Sequence, residues 1–277
     1  MKDRSPKIRI DKTALKKKLR HFREIPVLMY HHVLKDAPKF SKFNLYVTQA
    51  EIEKQLAFLR TTGRESVTFR DLVERKIPKK PVILTFDDGY SNNYLFLFPL
   101  LKRYKMKAVI FILGNRKHKS NFWDVGEGES DHRLLDPFQI QEMAESGLVE
   151  FGSHSMNHPN LLTLSPKRLE HEISGSKVSL EKLLKGPVLS FAYPYGYFND
   201  AIKKTVFKAG YTFGISTQYN GPLYFKEDLL AIRRVPAHPK MSLFEYFKKT
   251  SGYFFRYKIF LQRFKPSKKN KPVPALF

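Results

Sequence analysis

Short apolar runs alternate along the chain with longer stretches in which apolar residues recur at helical spacing. Apolar runs of about four to eight residues that are rich in β-branched side chains are typical of buried strands. The pattern predicts strands at 26–30, 81–86, 108–113, 149–152, 188–192, 211–216 and 229–235. It predicts helices at 48–62, from about Thr68, at 91–105, 137–146, 166–185 and 199–209, and after Ser242. This alternation predicts an α/β fold with either a parallel sheet or a (β/α) barrel.

Local signals support the ends of several of these helices. Thr48 and Glu51 have the spacing of a capping box, in which each residue satisfies the backbone N–H of the other. Pro137 and Pro166 stand at predicted first turns, where the missing N–H of proline costs no hydrogen bond. Residues 115–134 are polar and contain glycine, so they predict a long loop.

Polar residues suited to catalysis follow four of the predicted strands. They are His31 and His32, Asp87 and Asp88, His154 and His158, and the YPYG segment at 193–196. Chemistry in parallel α/β architectures gathers at the carboxyl ends of the strands. The sequence therefore predicts that these residues share one site.

The segment LTFDDG places Asp87 and Asp88 directly after a strand that reads as buried. Adjacent carboxylates repel each other and resist desolvation, so they need a cation or a hydrogen-bond network. The alternative is an ordinary turn, because Asp-Gly is a common turn dipeptide.

The segment HSMNH separates His154 and His158 by four residues, so both rings would face the same way on a helical turn. Two neutral imidazoles and one carboxylate would leave open positions on a divalent metal, as hydrolysis requires. One aspartate of the pair could bind the metal while the other takes a proton from the attacking water. Without that carboxylate, the histidine pair would be structural.

Composition restricts the classes of site without identifying the compartment. The 277 residues suffice for one large domain or two small ones, and 42% are hydrophobic, as in a globular protein. The absence of cysteine excludes disulfides and thiolate metal sites. Residues 1–26 lack the apolar run of a secretory signal, and no stretch is long enough for a transmembrane helix.

The net charge of +24 is concentrated at the two termini. Residues 1–26 carry +7 and residues 246–277 carry +9, so the central part is only mildly basic. Residues 12–24 predict a short basic helix on a surface arm. Such charge favours nucleic acid, anionic lipid or an anionic cell-wall polymer as a partner, although no nucleic-acid motif is present. The tail SGYFFRYKIFLQRFKPSKKNK predicts either a surface anchor or a docked helix with a frayed end.

Three motifs in order, TFDDG at 85–89, HSMNH at 154–158 and FAYPYG at 191–196, resemble those of the polysaccharide deacetylases of carbohydrate esterase family four. That family includes the nodulation-type chitooligosaccharide deacetylases. The opening PVLMYHHV at 26–33 resembles a bacterial subgroup that includes poly-N-acetylglucosamine deacetylases. The resemblance implies a distorted (β/α) barrel with about seven parallel strands. It divides the chain into a basic arm (1–24), a deacetylase domain (25–248) and a basic aromatic tail (249–277).

The resemblance also implies a role for each matched residue. Asp87 would be the general base, and Asp88, His154 and His158 would hold a divalent metal, with Zn²⁺ as the usual ion. The backbone N–H of Tyr195 would stabilise the oxyanion. The general acid would be His238 or its rival His31. Substrate contacts would involve Tyr193, Pro194, Gly196 and Asn92. Sugar-stacking walls could be formed by Tyr193, Tyr195, Tyr197 and Trp123, although tyrosines in a strand-end motif are equally suited to ordinary packing.

The sequence departs from the family pattern at two places. Ala192 stands where many relatives carry an arginine that orients the catalytic aspartate, which leaves open what orients Asp87. The late motif that supplies the general acid is not clean, because His238 lies in the loop-like segment RRVPAHP. The fourth motif, an aspartate and tryptophan pair, has only the loop pair Trp123-Asp124 as a match.

The sequence as a whole predicts a metal-dependent hydrolase that removes N-acetyl groups from a polysaccharide of the poly-N-acetylglucosamine, peptidoglycan or chitooligosaccharide type. The alternatives are a deacylase of another ester or amide on the same site, and a basic envelope or nucleic-acid-binding module with a relict site. The fold and charge favour the cell envelope or a membrane surface. A complete chain without a signal would instead be cytoplasmic.

Overall fold

The computed structural model describes residues 10–19, 25–74, 77–125, 130–217 and 227–254. Its ten strands in those ranges are β1 (Val27–Tyr30), β2 (His32–Leu34), β3 (Tyr46–Thr48), β4 (Glu65–Ser66), β5 (Pro81–Phe86), β6 (Ala108–Ile112), β7 (Val149–Ser153), β8 (Ser190–Ala192), β9 (Phe213–Ile215) and β10 (Val235–Pro236). Seven of them form a parallel sheet in the order β10-β1-β5-β6-β7-β8-β9, and β4 pairs with β5. The sheet curves into a distorted (β/α) barrel, which confirms the predicted fold class and strand number.

Alternate residues of the strands face two different cores, as the side-chain period of a strand requires. Ile83 and Phe111 belong to a cluster with members from five of the barrel strands, which is the barrel interior. Leu84 and Ile110 belong to a larger cluster that packs against the surrounding helices. Every residue of β5 and β6 is buried, so these strands read as continuous apolar runs in the sequence.

The barrel closes through the segment after residue 227, where a strand at 229–235 was predicted. The prediction is wrong in its extent, because only Val235–Pro236 form a strand, beside β1. Earlier in the segment, Ile232 bridges Ile215 at the end of β9. The segment changes partner between these two contacts, so a single continuous strand cannot form, but the segment still spans both edges of the sheet.

Helices cover the outside of the sheet. In the described ranges they are α1 (Lys12–Leu19), α2 (Gln49–Thr61), α3 (Phe69–Glu74), α4 (Phe98–Tyr104), α5 (Phe122–Val125), α6 (Pro137–Glu145), α7 (Pro166–Glu170), α8 (Ser176–Leu184), α9 (Asp200–Lys208) and α10 (Leu243–Thr250). The predicted capping box between Thr48 and Glu51 is present. The helix predicted at 166–185 contains a π-helical segment, His171–Gly175, between α7 and α8. Another, Asn93–Leu97, precedes α4.

The terminal segments differ from their predictions where they are described. Helix α1 is not simply a surface arm, because Leu15 and Leu19 are buried in the interior cluster of the barrel. Helix α10 continues to Thr250, so the proposed boundary between domain and tail at residue 248 falls inside a helix. Residues 1–9, 20–24 and 255–277, which include most of the predicted tail, lie outside the described residues. No helix among the described residues is long and apolar enough to cross a bilayer.

Candidate metal and catalytic site

The carboxyl ends of the barrel strands bring the predicted polar residues together. Asp87 follows β5 and His154 follows β7, while His31 follows β1. Side chains of Asp87 and Asp88 diverge at this edge of the sheet. Asp87 continues the face of β5 that Ile83 and Thr85 direct into the barrel, and Asp88 turns toward the histidine pair. The two carboxylates therefore have separate partners, as the sequence predicted.

Asp88, His154 and His158 form a buried cluster of potential metal ligands. Asp88 Oδ1 lies 3.5 Å from His154 Nε2 and 3.4 Å from His158 Nε2. Tetrahedral ligands at the bond lengths of zinc stand about 3.4 Å apart, so the spacing fits a shared cation. Asp88 Oδ1 is buried and has no hydrogen-bond partner among the described residues, which leaves it available as a ligand.

The histidine rings have the protonation state and orientation that ligands need. His154 Nδ1 donates a hydrogen bond to the carbonyl oxygen of Ala192 at 2.9 Å, which leaves the lone pair of Nε2 facing Asp88. The ring of His158 stacks on Trp123 with ring centroids 4.6 Å apart and meets Tyr195 edge-on at 4.7 Å. Burial lowers the pKa of both imidazoles, so both are neutral at neutral pH.

The turns that carry these residues adopt left-handed backbone conformations. The φ angles are 69° at Asp88, 60° at His158 and 60° at Tyr195. Gly89 follows with φ of 70°, and a Cβ at that position would lie 2.5 Å from Cγ2 of Ile112. Such conformations cost free energy in non-glycine residues and concentrate at functional sites. The glycine of the DDG motif is therefore required by space as well as by backbone conformation.

Arg234 holds Asp87, and this is the partner that sequence reasoning missed. Its Nη1 and Nη2 donate to the two carboxylate oxygens at 2.6 and 2.7 Å. Arg234 is 1% exposed, and it also donates to the Ser216 carbonyl oxygen at 2.9 Å and Thr85 Oγ1 at 3.1 Å. Burial alone raises the pKa of Asp87, but the adjacent guanidinium of Arg234 outweighs burial and holds the pKa well below its usual value.

The position of Arg234 answers the question that Ala192 raised. The strand residue Ala192 supplies a carbonyl oxygen to His154, while the arginine comes from the segment that closes the barrel. In the sequence, Arg234 lies in the RRVPAHP segment, where His238 is the residue that suggests chemistry. Nothing in the local pattern distinguishes a buried arginine from the many surface arginines of this chain.

Asp124, from the Trp123-Asp124 pair, adds a third carboxylate to the site. Asp124 is 9% exposed, and its Oδ2 accepts a hydrogen bond from the Tyr90 hydroxyl at 3.3 Å. Burial, then Asp124, then Asp87 raise the pKa of Asp88 well above its usual value. Among the described residues, three buried carboxylates thus face one buried arginine, and a bound cation would relieve this excess. The residues present therefore fit a divalent metal.

The two candidates for the general acid occupy different environments. His31 Nε2 lies 3.8 Å from Asp87 Oδ2, and burial lowers the pKa of His31 to about 4 while Asp87 opposes this shift. His238 instead contacts Glu245, with its Nε2 2.9 Å from Oε1, and its side chain is 45% exposed. The structure places His31 at the carboxylate pair, and the described contacts of His238 do not reach that pair.

The YPYG segment is mostly buried, contrary to a role in sugar stacking for its first tyrosine. Tyr193 is 0% exposed, and its hydroxyl donates to the Leu230 carbonyl oxygen at 2.8 Å. A buried ring offers no face to a sugar, so the stacking role predicted for Tyr193 is wrong. Pro194 and Gly196 are buried as well, which limits them to backbone contacts with a substrate.

The side chain of Asn92 is hydrogen-bonded to the segment that continues from β1 into β2 and carries His31 and His32. Its Nδ2 donates to His32 Nδ1 at 2.9 Å, and its Oδ1 accepts the Val33 N–H at 3.3 Å. Three aromatic residues near the site are partly exposed, namely Trp123, Tyr195 and Tyr197. The substrate contacts predicted for Asn92 and for these rings stay predictions.

Comparison with known proteins identifies relatives of the whole barrel. A family model described as polysaccharide deacetylase matches residues 74–214, just over half of the chain. YxkH of Bacillus subtilis, assigned by its name to the polysaccharide deacetylases, is 32% identical over 225 residues, which cover 79% of this chain and 73% of YxkH. A poly-β-1,6-N-acetyl-D-glucosamine N-deacetylase of Staphylococcus aureus is 27% identical over 187 residues. That match covers 63% of this chain and 62% of the relative, less than two-thirds of its length.

Two solved structures share the fold over most of the chain. The deacetylase PplD of Streptococcus pyogenes, solved in complex with acetate, has a TM-score of 0.69 and 26% identity. The match covers 82% of this chain and 98% of PplD. The polysaccharide deacetylase BC0361 of Bacillus cereus has a TM-score of 0.68 and 27% identity, with 82% of this chain and 69% of BC0361 covered.

Proposed function

We propose that this chain, which belongs to the polysaccharide deacetylase family, is a metal-dependent hydrolase that removes N-acetyl groups from N-acetylhexosamine units of a polysaccharide. The observation that carries the proposal is the divergence of two adjacent carboxylates. Asp87 is paired with a buried arginine, and Asp88 faces two neutral imidazoles. This arrangement separates a proton acceptor from a metal ligand within one turn of chain.

Asp88, His154 and His158 would hold the metal through one carboxylate oxygen and two ring nitrogens. This donor set suits Zn²⁺ and also accommodates other divalent ions. When bound, the metal would polarise the acetamide carbonyl and lower the pKa of the attacking water. The hydrogen bond from His154 Nδ1 to Ala192 keeps the ligating nitrogen in place.

The protein's own residues would then handle the protons. Asp87 is ionised because of Arg234, so it can accept the proton of the water that attacks the carbonyl carbon. The backbone N–H of Tyr195 would donate to the developing oxyanion. The proton that Asp87 accepts would then pass to His31, which is neutral beforehand because burial lowers its pKa to about 4 and whose Nε2 lies 3.8 Å from Asp87 Oδ2. When the C–N bond breaks, His31 would deliver this proton to the leaving amine. The products are acetate and a free hexosamine amine.

The polymer and the place of action belong to the same proposal. A relative named for poly-β-1,6-N-acetyl-D-glucosamine and a family named for polysaccharides support an N-acetylated glycan as substrate. The charge of +24 supports a location at the cell envelope or an anionic membrane surface, with the basic termini as contacts. The domain would begin near residue 25 and include all of α10, with a basic segment before it and the rest of the basic aromatic tail after it.

The test is acetate release from N-acetylglucosamine oligomers by the full chain, stripped of metal and then reloaded with Zn²⁺. We expect release that depends on metal and is lost in Asp87→Asn. Asp200→Asn, a change of the same kind at a 99% exposed side chain, should leave release unchanged. Metal binding without release from any oligomer would point to another ester or amide. Absence of both would overturn the proposed hydrolase.

A further inference from the structure

A groove of about 750 Å³ begins beside the metal-ligand cluster and runs away from it. Asn157 and Pro159, which flank His158 in the chain, lie at its near end. Phe122 lines it too and is 48% exposed, and its ring contacts Trp123, which stacks on His158. The groove therefore lies next to the site, and its volume is typical of ligand clefts, which span about 300–1,000 Å³.

The far wall of the groove is positively charged. Lys167 and Arg168 of α7 and the following residue His171 line it, and all three side chains are exposed. No acidic side chain among the described residues forms an ion pair with Lys167 or Arg168. The acid of this lining, Glu172, is 7% exposed, and its oxygens accept the backbone N–H groups of residues 156 and 157 and the amide of Asn157.

Glu172 thus holds the loop that carries His158 and forms no ion pair with Lys167 or Arg168, and the two cations exceed its single charge. The Asn157 side chain is held further by Asn115, which donates to its Oδ1 at 2.8 Å. A fixed Asn157, an exposed aromatic ring and two cations without an ion pair among the described residues make a surface for an extended ligand. An arginine and a lysine side by side favour carboxylate or phosphate oxygens.

We propose that this groove, here named the α7 groove, binds anionic sugar units of the substrate next to the unit that is deacetylated. The proposal rests on the proposed function and narrows its substrate class to N-acetylated glycans that carry carboxylate or phosphate groups. A neutral homopolymer would occupy the site without using the cations. The Phe122 ring would pack against a sugar face while Lys167 and Arg168 contact the charged groups.

The first experiment compares acetate release from neutral N-acetylglucosamine oligomers with release from carboxylated and phosphate-bearing N-acetylated glycans of equal length. We expect the wild type to favour an anionic glycan in kcat/KM by about tenfold at low salt. In Lys167→Ala/Arg168→Ala this preference should disappear because KM for the anionic glycan rises while kcat stays the same. The KM for the neutral oligomer should not change, since that ligand has no charge for the two cations to contact. A preference for the carboxylated or for the phosphate-bearing glycan assigns the source of the charge. Equal use of neutral and anionic glycans by the wild type would overturn the proposal.

The matched control is Lys16→Ala/Lys17→Ala, which removes the same charge from exposed positions of α1. Helix α1 packs on the interior cluster together with Ile25 and Val27 at the amino end of β1, away from the catalytic edge. We expect this variant to retain the preference for anionic glycans. If both double variants lose it equally, net charge and not the groove is responsible, and the assignment to the α7 groove fails.

A binding measurement separates this inference from the proposed function. Trp123 is the single tryptophan of the chain and neighbours Phe122, so its fluorescence reports on ligands in the groove. Titration of the wild type with the anionic glycans should change the emission, and Lys167→Ala/Arg168→Ala should weaken the apparent affinity by about tenfold. Binding without acetate release would reject the hydrolase while retaining the groove. Acetate release without any preference for charged glycans would reject the role of the groove while retaining the hydrolase.

Discussion

The guanidinium group of Arg234 contacts both carboxylate oxygens of Asp87, although 147 positions separate the two residues in the chain. The pair is buried, so each charge depends on the other for stabilisation. Arg234 also fixes the orientation of Asp87, because its planar fork matches the two oxygens. Closure of the barrel by the segment before β10 thus positions Asp87, the proposed proton acceptor of the site.

Replacement of Arg234 by lysine should lower kcat by about 10²-fold, because a lysine cannot hold both oxygens of Asp87 in one plane. Arg234→Met should in addition lower the free energy of unfolding by about 3–5 kcal/mol, since Asp87 would be left as an uncompensated buried charge. Acetate release and urea unfolding measure the two effects. Arg103→Lys, at a 69% exposed side chain, is the control, and an Arg234→Lys variant as active as this control would contradict the role of Arg234.

Replacement of a metal ligand should abolish stoichiometric binding of Zn²⁺. Asp88→Ala and His154→Ala each remove one of three ligands whose atoms lie within 4.8 Å of one another. We expect purified wild type to retain about one ion after dialysis and both variants to retain none. His238→Ala, outside this cluster, should retain the ion. Metal analysis of the wild type and the three variants measures how much Zn²⁺ each retains, and full retention by Asp88→Ala would reject the ligand set.

The structure predicts different outcomes for the two candidate acids. His31→Gln should lower kcat by about 10²-fold or more, because a positioned proton donor contributes about that much. His238→Gln should change kcat little, since its ring pairs with Glu245 on α10. Steady-state acetate release at saturating oligomer measures both. A large loss in His238→Gln with an intact His31→Gln would reverse the assignment.

Glu150 should make a contribution to stability that falls as the pH rises from about 4.5 to above 7. Burial raises the pKa of Glu150 to about 7, and its Oε1 has no described partner, while Oε2 accepts the Arg70 N–H at 2.7 Å. Between these pH values the folded state binds a proton that the unfolded state releases, so the free energy of unfolding decreases with pH.

Urea unfolding of the wild type and Glu150→Gln at several pH values should therefore show that the difference between their free energies of unfolding declines with pH, by on the order of 3 kcal/mol. The buried histidines act equally in both proteins, so this difference isolates Glu150. Glu145→Gln, at an exposed position of α6, should keep the wild-type dependence. Parallel curves for the wild type and Glu150→Gln would show that Glu150 is ionised throughout this range.

Several elements of the structure could be predicted because their causes are local. The apolar run of β5 and the capping box of α2 depend on residues that are neighbours in sequence. The same holds for the metal-ligand histidines, which lie four residues apart, and for the carboxylate pair at the end of β5. Parallel strands then bring their carboxyl ends to one edge whatever the details of packing, so the location of the site followed from the order of the elements.

Burial and long-range pairing could not be predicted, because the pattern of residue types does not contain them. Tyr193 follows a strand end and reads like a substrate contact, yet its ring is in the core. Asp124 stands in a segment whose sequence predicts a polar loop, and that pattern gives no sign of its approach to Asp88. His31 and His238 were equivalent candidates until their neighbours were known.

The resemblance of its motifs to a known family favoured the barrel, while the sequence by itself determined the alternation of strands and helices, the strand ends that carry the site, and the residues able to bind a metal. Those features depend on hydrophobic periodicity and on side-chain chemistry over a few residues. The tertiary structure decided which charge accompanies which: Arg234 with Asp87, and Asp124 near Asp88. These pairings depend on how the barrel closes, since closure brings together residues that are distant in the chain and excludes the water that would otherwise screen their charges.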